Sequence, residues 1–226
     1  MNQTGILKRY QKIIFIFLVG QIIATLYLFS LRGFDITPVV SFDSNFFIDA
    51  AERFPDLHPQ QRVYSGMAII VKFASLIGPT KWVFVIFNSI AVILSGEFLW
   101  QITKKYSSNS CAWIAVYVWL LNPLTAQWTR WLMSDTLYLS AVIIWLWLFI
   151  FQSSFLLFLF SSLATTLRPN AFTLLGSAVI WSFIFKQQIN LKKIIKLTPL
   201  FLFVFLILIA YIFSSYDGAK NELIES

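Results

Sequence analysis

Charge is scarce in this chain of 226 residues: only 12% are Asp, Glu, Lys or Arg. Soluble domains carry about 25% charged residues to cover their surface. With 58% hydrophobic residues and a mean hydropathy of +0.76, the chain cannot hide its apolar side chains from water by folding on itself. Lipid must be its solvent. Cysteine is nearly absent: Cys111 stands alone, which excludes an intramolecular disulfide and any Cys-based metal spacing. Histidine is as rare: His58 precedes a proline and has no second histidine at ligand spacing. No Gly-x-Ser-x-Gly elbow and no phosphate-cradling glycine loop occur, which disfavours serine-hydrolase chemistry and direct use of nucleotides. Neither a metal nor a cofactor is expected.

Long apolar runs fill the sequence. Seven can cross a bilayer: 13–31, 82–102, 111–127, 134–151, 154–167, 171–185 and 197–213. The first is too long for a signal-peptide core, and no small-residue cleavage site follows it. The fifth and sixth are thin and share the break Arg168-Pro169-Asn170. The net charge of +7 clusters beside these runs, so the basic residues read as topology signals and headgroup contacts, with no nucleic-acid partner expected.

Segment 64–77 is apolar but short, and it contains Lys72. If it spanned, the later loops would flip and the lysines at 104, 105, 186, 192, 193 and 196 would move outside. The positive-inside rule therefore predicts that it lies flat in the outer interface. The expectation is an all-α, polytopic membrane bundle of about seven transmembrane helices in one domain, 1–226. Its N-terminus is inside, its C-terminus is outside, and its long first outer loop, 32–81, carries juxtamembrane helices. Glu97 is expected near the inner end of the second span, pairing with Lys104 or Lys105.

Within the first loop, residues 44–54 have the spacing of an amphipathic helix. Phe46, Phe47, Ala50, Ala51 and Phe54 share one face, and Asp49, Glu52 and Arg53 occupy the others. Asp43, just before it, suits two roles. It can cap the helix, the commoner use of such a residue, or act as a general base at the water–lipid boundary. Arg62, Arg130 and Arg168 are expected at the outer face, either snorkelling from span ends or pairing with an anionic headgroup. Asp135 at the mouth of a span is a solvated helix-start charge or a partner for an arginine. Asp35 reads as a loop charge.

Several motifs bear on these alternatives. The run Ser41-Phe42-Asp43-Ser44-Asn45-Phe46-Phe47-Ile48-Asp49-Ala50-Ala51 resembles the first-loop motif of the GT-C glycosyltransferases. Arg62-Val63-Tyr64-Ser65-Gly66 resembles their second juxtamembrane helix, and Asn122-Pro123-Leu124 the proline near the outer end of the third span. Ser134-Asp135-Thr136 and Leu167-Arg168-Pro169-Asn170-Ala171 resemble the acidic opening of the fourth span and the Arg-Pro break after the fifth. The order and common outer side of these motifs carry the resemblance across almost the whole chain. GT-C enzymes usually continue with further spans, and their first-loop acidic residues are often adjacent, which is not so here.

The resemblance implies a GT-C-like fold in a multi-pass protein of the bacterial inner membrane. It also implies an inverting transfer of sugar from a polyprenyl-phosphate donor to an acceptor hydroxyl at the outer face. Asp43 would be the catalytic base, with Asp135 and Asp35 supporting it. Arg168, Arg62 and Arg130 would bind the lipid phosphate. The expected partners are a polyprenyl-phosphate-linked sugar, the bilayer and a second membrane subunit supplying further spans. The alternative is a non-catalytic subunit that binds or moves such a lipid for a partner enzyme.

Overall fold

A computed structural model describes residues 3–32, 37–151, 154–171, 173, 174, 176 and 177. The described residues are helical apart from their turns and a single bridge. Among the described residues three helices are long and apolar enough to cross a membrane: α1 (Gln3–Arg32), α5 (Thr80–Tyr106) and α8 (Ser134–Phe151). At 1.5 Å per residue they run roughly 45, 40 and 27 Å, against a hydrocarbon core of about 30 Å. Along α1, Ile13, Ile16, Phe17 and Ala24 are buried, yet Ile14, Phe15, Leu18, Ile22 and Leu26 are exposed. A helix that is apolar on its outward side as well as its inward side suits lipid. These helices mark a membrane protein.

Between α1 and α5 lie α2 (Phe42–Arg53), α3 (Pro59–Arg62) and α4 (Ser65–Ile77), so the first loop is helical as its pattern predicts. The start of α2 differs from expectation. Asp43 does not cap it, because the helix begins at Phe42. The Ser44 amide instead donates to Ser41 Oγ (3.3 Å), and the Ser41 amide donates to Ser44 Oγ (2.9 Å). The two hydroxyls thereby satisfy each other's amides reciprocally, in the manner of a capping box.

The segment 111–127 also differs, since it is not one helix. α6 (Asn109–Leu121) stops at Asn122, whose side chain accepts from the Leu124 amide (2.9 Å) and caps α7 (Pro123–Trp128). Proline cannot continue a helical hydrogen-bond ladder, and Asn122 starts a new one. α4 and α6, with 13 residues each, are about 20 Å long. α9 (Ser154–Leu167) matches the fifth apolar run, and the Arg-Pro break follows it as a 3-10 turn at Pro169–Ala171. The seventh run and most of the sixth lie outside the described residues.

The chain divides into two compact units, Met1–Ser44 with Ile77–Trp147, and Asn45–Leu76 with Leu148–Ser226. In the first, α5 and α6 form an antiparallel hairpin against α1. Ile13, Ile16, Phe17, Val92, Val116 and Leu120 make its core. Gly20 lets α1 approach the end of α6, because a Cβ there would collide with the Leu120 carbonyl oxygen. At one end of this unit Arg9 and Glu97, both buried, form an ion pair at 2.5 Å. Glu97 is therefore not paired as expected with Lys104 or Lys105; an arginine from α1 reaches it first. Gln101 donates to Glu97 Oε1 (2.7 Å) and accepts from Trp147 Nε1 (2.8 Å), tying α8 to the same cluster.

In the second unit Ala50, Leu57 and Ala68 form a small core, and Phe46, Phe47 and Tyr64 meet edge to face. Gln61, buried, donates to Asp49 Oδ2 (2.7 Å) and accepts from the His58 amide (3.1 Å), locking α3 to α2. α4 meets α9 where Gly66 faces Thr166 so closely that no Cβ would fit without displacing it.

Candidate functional site around Arg130

The turn between α7 and α8 is polar backbone among apolar helices, so its hydrogen bonds must be supplied locally. α5 supplies two of them: Asn88 Nδ2 donates to the carbonyls of Thr129 (3.2 Å) and Trp131 (3.0 Å). The first loop supplies two more. The Val39 amide donates to the Arg130 carbonyl (3.0 Å), and the Leu132 amide donates to that of Val39 (3.3 Å), a one-residue parallel bridge across Trp131.

The side chain of Arg130 turns to α1. Its Nε donates to Gln21 Oε1 (3.3 Å), and Nη2 donates to the Gln21 carbonyl (3.2 Å) and to Thr25 Oγ1. Gln21 in turn donates to the Ala126 carbonyl (3.2 Å). Nη1 is buried and has no hydrogen-bond partner among the described residues. Burial lowers the pKa of this guanidinium from its ordinary value, since the charged form loses water. Beside it a cavity of about 200 Å³ is lined by Gln21, Pro38, Trp82, Val85 and Arg130. The lining thus combines one charged donor group, one amide and an indole with the apolar side chains of Pro38 and Val85, a few polar groups among apolar ones.

The other expected site residues fall as follows. Asp43 is exposed in the first turn of α2, four residues after Val39. That much chain spans at most about 14 Å, so the bridge to Trp131 holds Asp43 near the turn that carries Arg130. Asp135 is half-buried in the first turn of α8, four residues beyond Trp131, where a carboxylate favours the helix dipole. Asp35 lies outside the described residues. Arg62 and Arg168 belong to the second unit. Arg62 Nε donates to the Leu57 carbonyl (3.2 Å), and Arg168 follows α9 directly, two residues from the Gly66–Thr166 contact. No group of three metal-ligating side chains occurs among the described residues.

Gln21, Thr25, Asn88 and Trp82 are site residues that the motifs did not single out. Gln21, Thr25 and Asn88 are polar positions inside apolar runs, the signal that marks an intramembrane site. No protein-family model, curated protein or solved structure matches the chain.

Proposed function

We propose that this protein is a membrane glycosyltransferase that moves a sugar from a polyprenyl-phosphate donor to an acceptor hydroxyl, with a GT-C-like arrangement of its residues. The observation that carries this reading is the Val39–Trp131 bridge. It ties the segment that leads to Asp43 to the turn that carries Arg130, and Asp135 follows Trp131 by four residues at the start of α8. These are the groups such a transfer needs, and they come from motifs far apart in sequence.

In this mechanism the acceptor oxygen attacks the anomeric carbon as the bond from that carbon to the lipid-phosphate oxygen breaks. Lipid phosphate leaves with the bonding electrons from the opposite face, so the configuration inverts. The acceptor proton passes to Asp43. A carboxylate is a weak base, so that transfer comes late, once the attacking hydroxyl has become acidic. Arg130 stabilises the charge growing on the departing phosphate. No nucleotide is consumed, because the donor carries its own leaving group. Trp82 and the apolar walls of the Arg130 cavity suit a sugar ring or the first isoprene unit.

The deciding experiment gives purified protein radiolabelled polyprenyl-phosphate sugars and follows label leaving the lipid. Asp43→Asn is expected to lower transfer about 100-fold or more, the scale of general-base catalysis. Donor binding should persist. Transfer by the variant at the parent rate removes Asp43 from the mechanism. Donor binding by the parent with no transfer favours the non-catalytic subunit instead.

A further inference from the structure

The contacts of Arg9 and Lys12 place the start of α1 beside the end of α5 and the start of α6. Five cations collect at that end of the first unit: Lys8, Arg9, Lys12, Lys104 and Lys105. Its described carboxylates are segregated from them. Asp43 and Asp135 lie toward the opposite end, and Glu97 is neutralised by Arg9 in the interior. All four lysines are exposed.

Aromatic rings pave the surface beneath. Arg9 stacks 4.1 Å above Trp100, whose ring centroid lies 6.2 Å from that of Trp113. Lys12 Nζ sits 3.9 Å above Trp113 and 5.7 Å from the Tyr117 ring. Lysines over indoles at the end of apolar helices are groups that sit at headgroup depth, where the ring lies among acyl chains and the ammonium meets phosphate. Arg9 cancels Glu97 out of contact with solvent, so no carboxylate there repels an anion.

We propose that this end of the unit is a docking surface for anionic phospholipid headgroups, with Lys12 on its Trp113–Tyr117 shelf as the central contact. The occupant is lipid and not a soluble polyanion, because the lysines ring the ends of helices whose outward faces are apolar. An isolated cation patch facing water would lack that hydrocarbon collar. The surface is separate from the Arg130 cavity and does not depend on the transfer reaction.

The test uses the full chain in nanodiscs of mixed phosphatidylglycerol and phosphatidylcholine, each spin-labelled in turn, and reads the ratio of protein-bound to bulk label. The parent is expected to favour phosphatidylglycerol. Near an anionic surface each lysine contributes about a fivefold preference at low salt, and sharing among neighbours reduces this. Lys12→Gln should lower the ratio about two- to fivefold, and neutralising Lys8, Lys12, Lys104 and Lys105 together should bring it near one. Raising the salt to 0.5 M, as a chosen condition, should shrink the parent preference. Lys81→Gln, at the other end of α5, should leave it unchanged, and arginine at the four positions should keep it. A preference that survives the fourfold neutralisation overturns the proposal, as does an equal loss from Lys81→Gln. Selective binding of RNA or an acidic polypeptide over phosphatidylglycerol would also overturn it.

Discussion

Asn88 and Trp131 are joined by a hydrogen bond of 3.0 Å from the Asn88 side chain to the Trp131 carbonyl, and the same amide nitrogen holds the Thr129 carbonyl at 3.2 Å. Asn88 is completely buried. One residue of α5 therefore pins the backbone on both sides of Arg130.

Removing that clamp should loosen the turn before it disturbs the helices. Asn88→Ala leaves two carbonyls short of a donor, at a cost of about 1–3 kcal/mol. The Arg130–Trp131 peptide bond is a trypsin site, so limited digestion in detergent should cut there faster in the variant. Ser89→Ala, whose hydroxyl bonds only to the Val85 carbonyl of its own helix among described groups, should digest like the parent. Equal cutting at Arg130 in both variants would show that Asn88 does not hold the turn.

The Arg9–Glu97 pair makes a sharper energetic prediction. Glu97→Gln strands a buried guanidinium and should destabilise the protein by about 3–5 kcal/mol. Arg9→Met with Glu97→Met removes both charges and should recover most of that loss, since apolar pairs of similar volume replace buried ion pairs at little cost. Chemical denaturation in detergent micelles measures both. A double variant as weak as the single would mean that the cluster is held through Gln101 and Trp100 more than through charge.

Two glycines on α1 should respond oppositely to alanine. At Gly20 a methyl group meets the Leu120 carbonyl, and Gly20→Ala should cost about 1–3 kcal/mol by forcing α1 from α6. At Gly5 nothing lies within 4 Å, and Gly5→Ala should be stabilising by up to about 1 kcal/mol through helix propensity. Thermal melting of the two variants side by side checks the pair.

Asp49 supplies the pH dependence. Its carboxylate lies below the ordinary 3.8, first through the hydrogen bond from Arg53 and then through that from Gln61. The folded form holds the proton less tightly than the unfolded chain does. Its contribution is therefore complete above the ordinary aspartate range and is lost as pH falls through the lowered value. A carbon-13 titration of Asp49 should give a midpoint below 3.8, and Arg53→Gln should move it upward. A midpoint unmoved by Arg53→Gln would assign the shift to Gln61.

Composition alone settled the solvent. A chain with so few charges has no way to cover its apolar surface in water, and α1, α5 and α8 follow from the lengths of its apolar runs. The amphipathic α2 was equally legible, because a 3.6-residue period of phenylalanine and alanine is a local property. The cap at Ser41 was not, since Ser41, Asp43 and Ser44 can all accept an amide and only the backbone angle at the helix start chooses among them. The apolar run 111–127 did not show that the helix would stop before Pro123 or that Asn122 would start a new one there.

The site was legible in its charged members and hidden in its neutral ones. Arg130 and Asp135 stand out as charges at the ends of apolar runs. Gln21, Thr25 and Asn88 stand inside such runs, and what they hold is decided by which residues the packing brings opposite, 41 to 109 positions away. Glu97 shows the same limit. Along the chain its nearest cations are Lys104 and Lys105, but burial favours a rigid, weakly hydrated guanidinium, and the antiparallel packing of α1 on α5 delivers Arg9. The sequence by itself determined what each segment must bury; the tertiary structure decided which partner satisfies each polar group left inside, because that choice depends on distances between helices that no local pattern encodes.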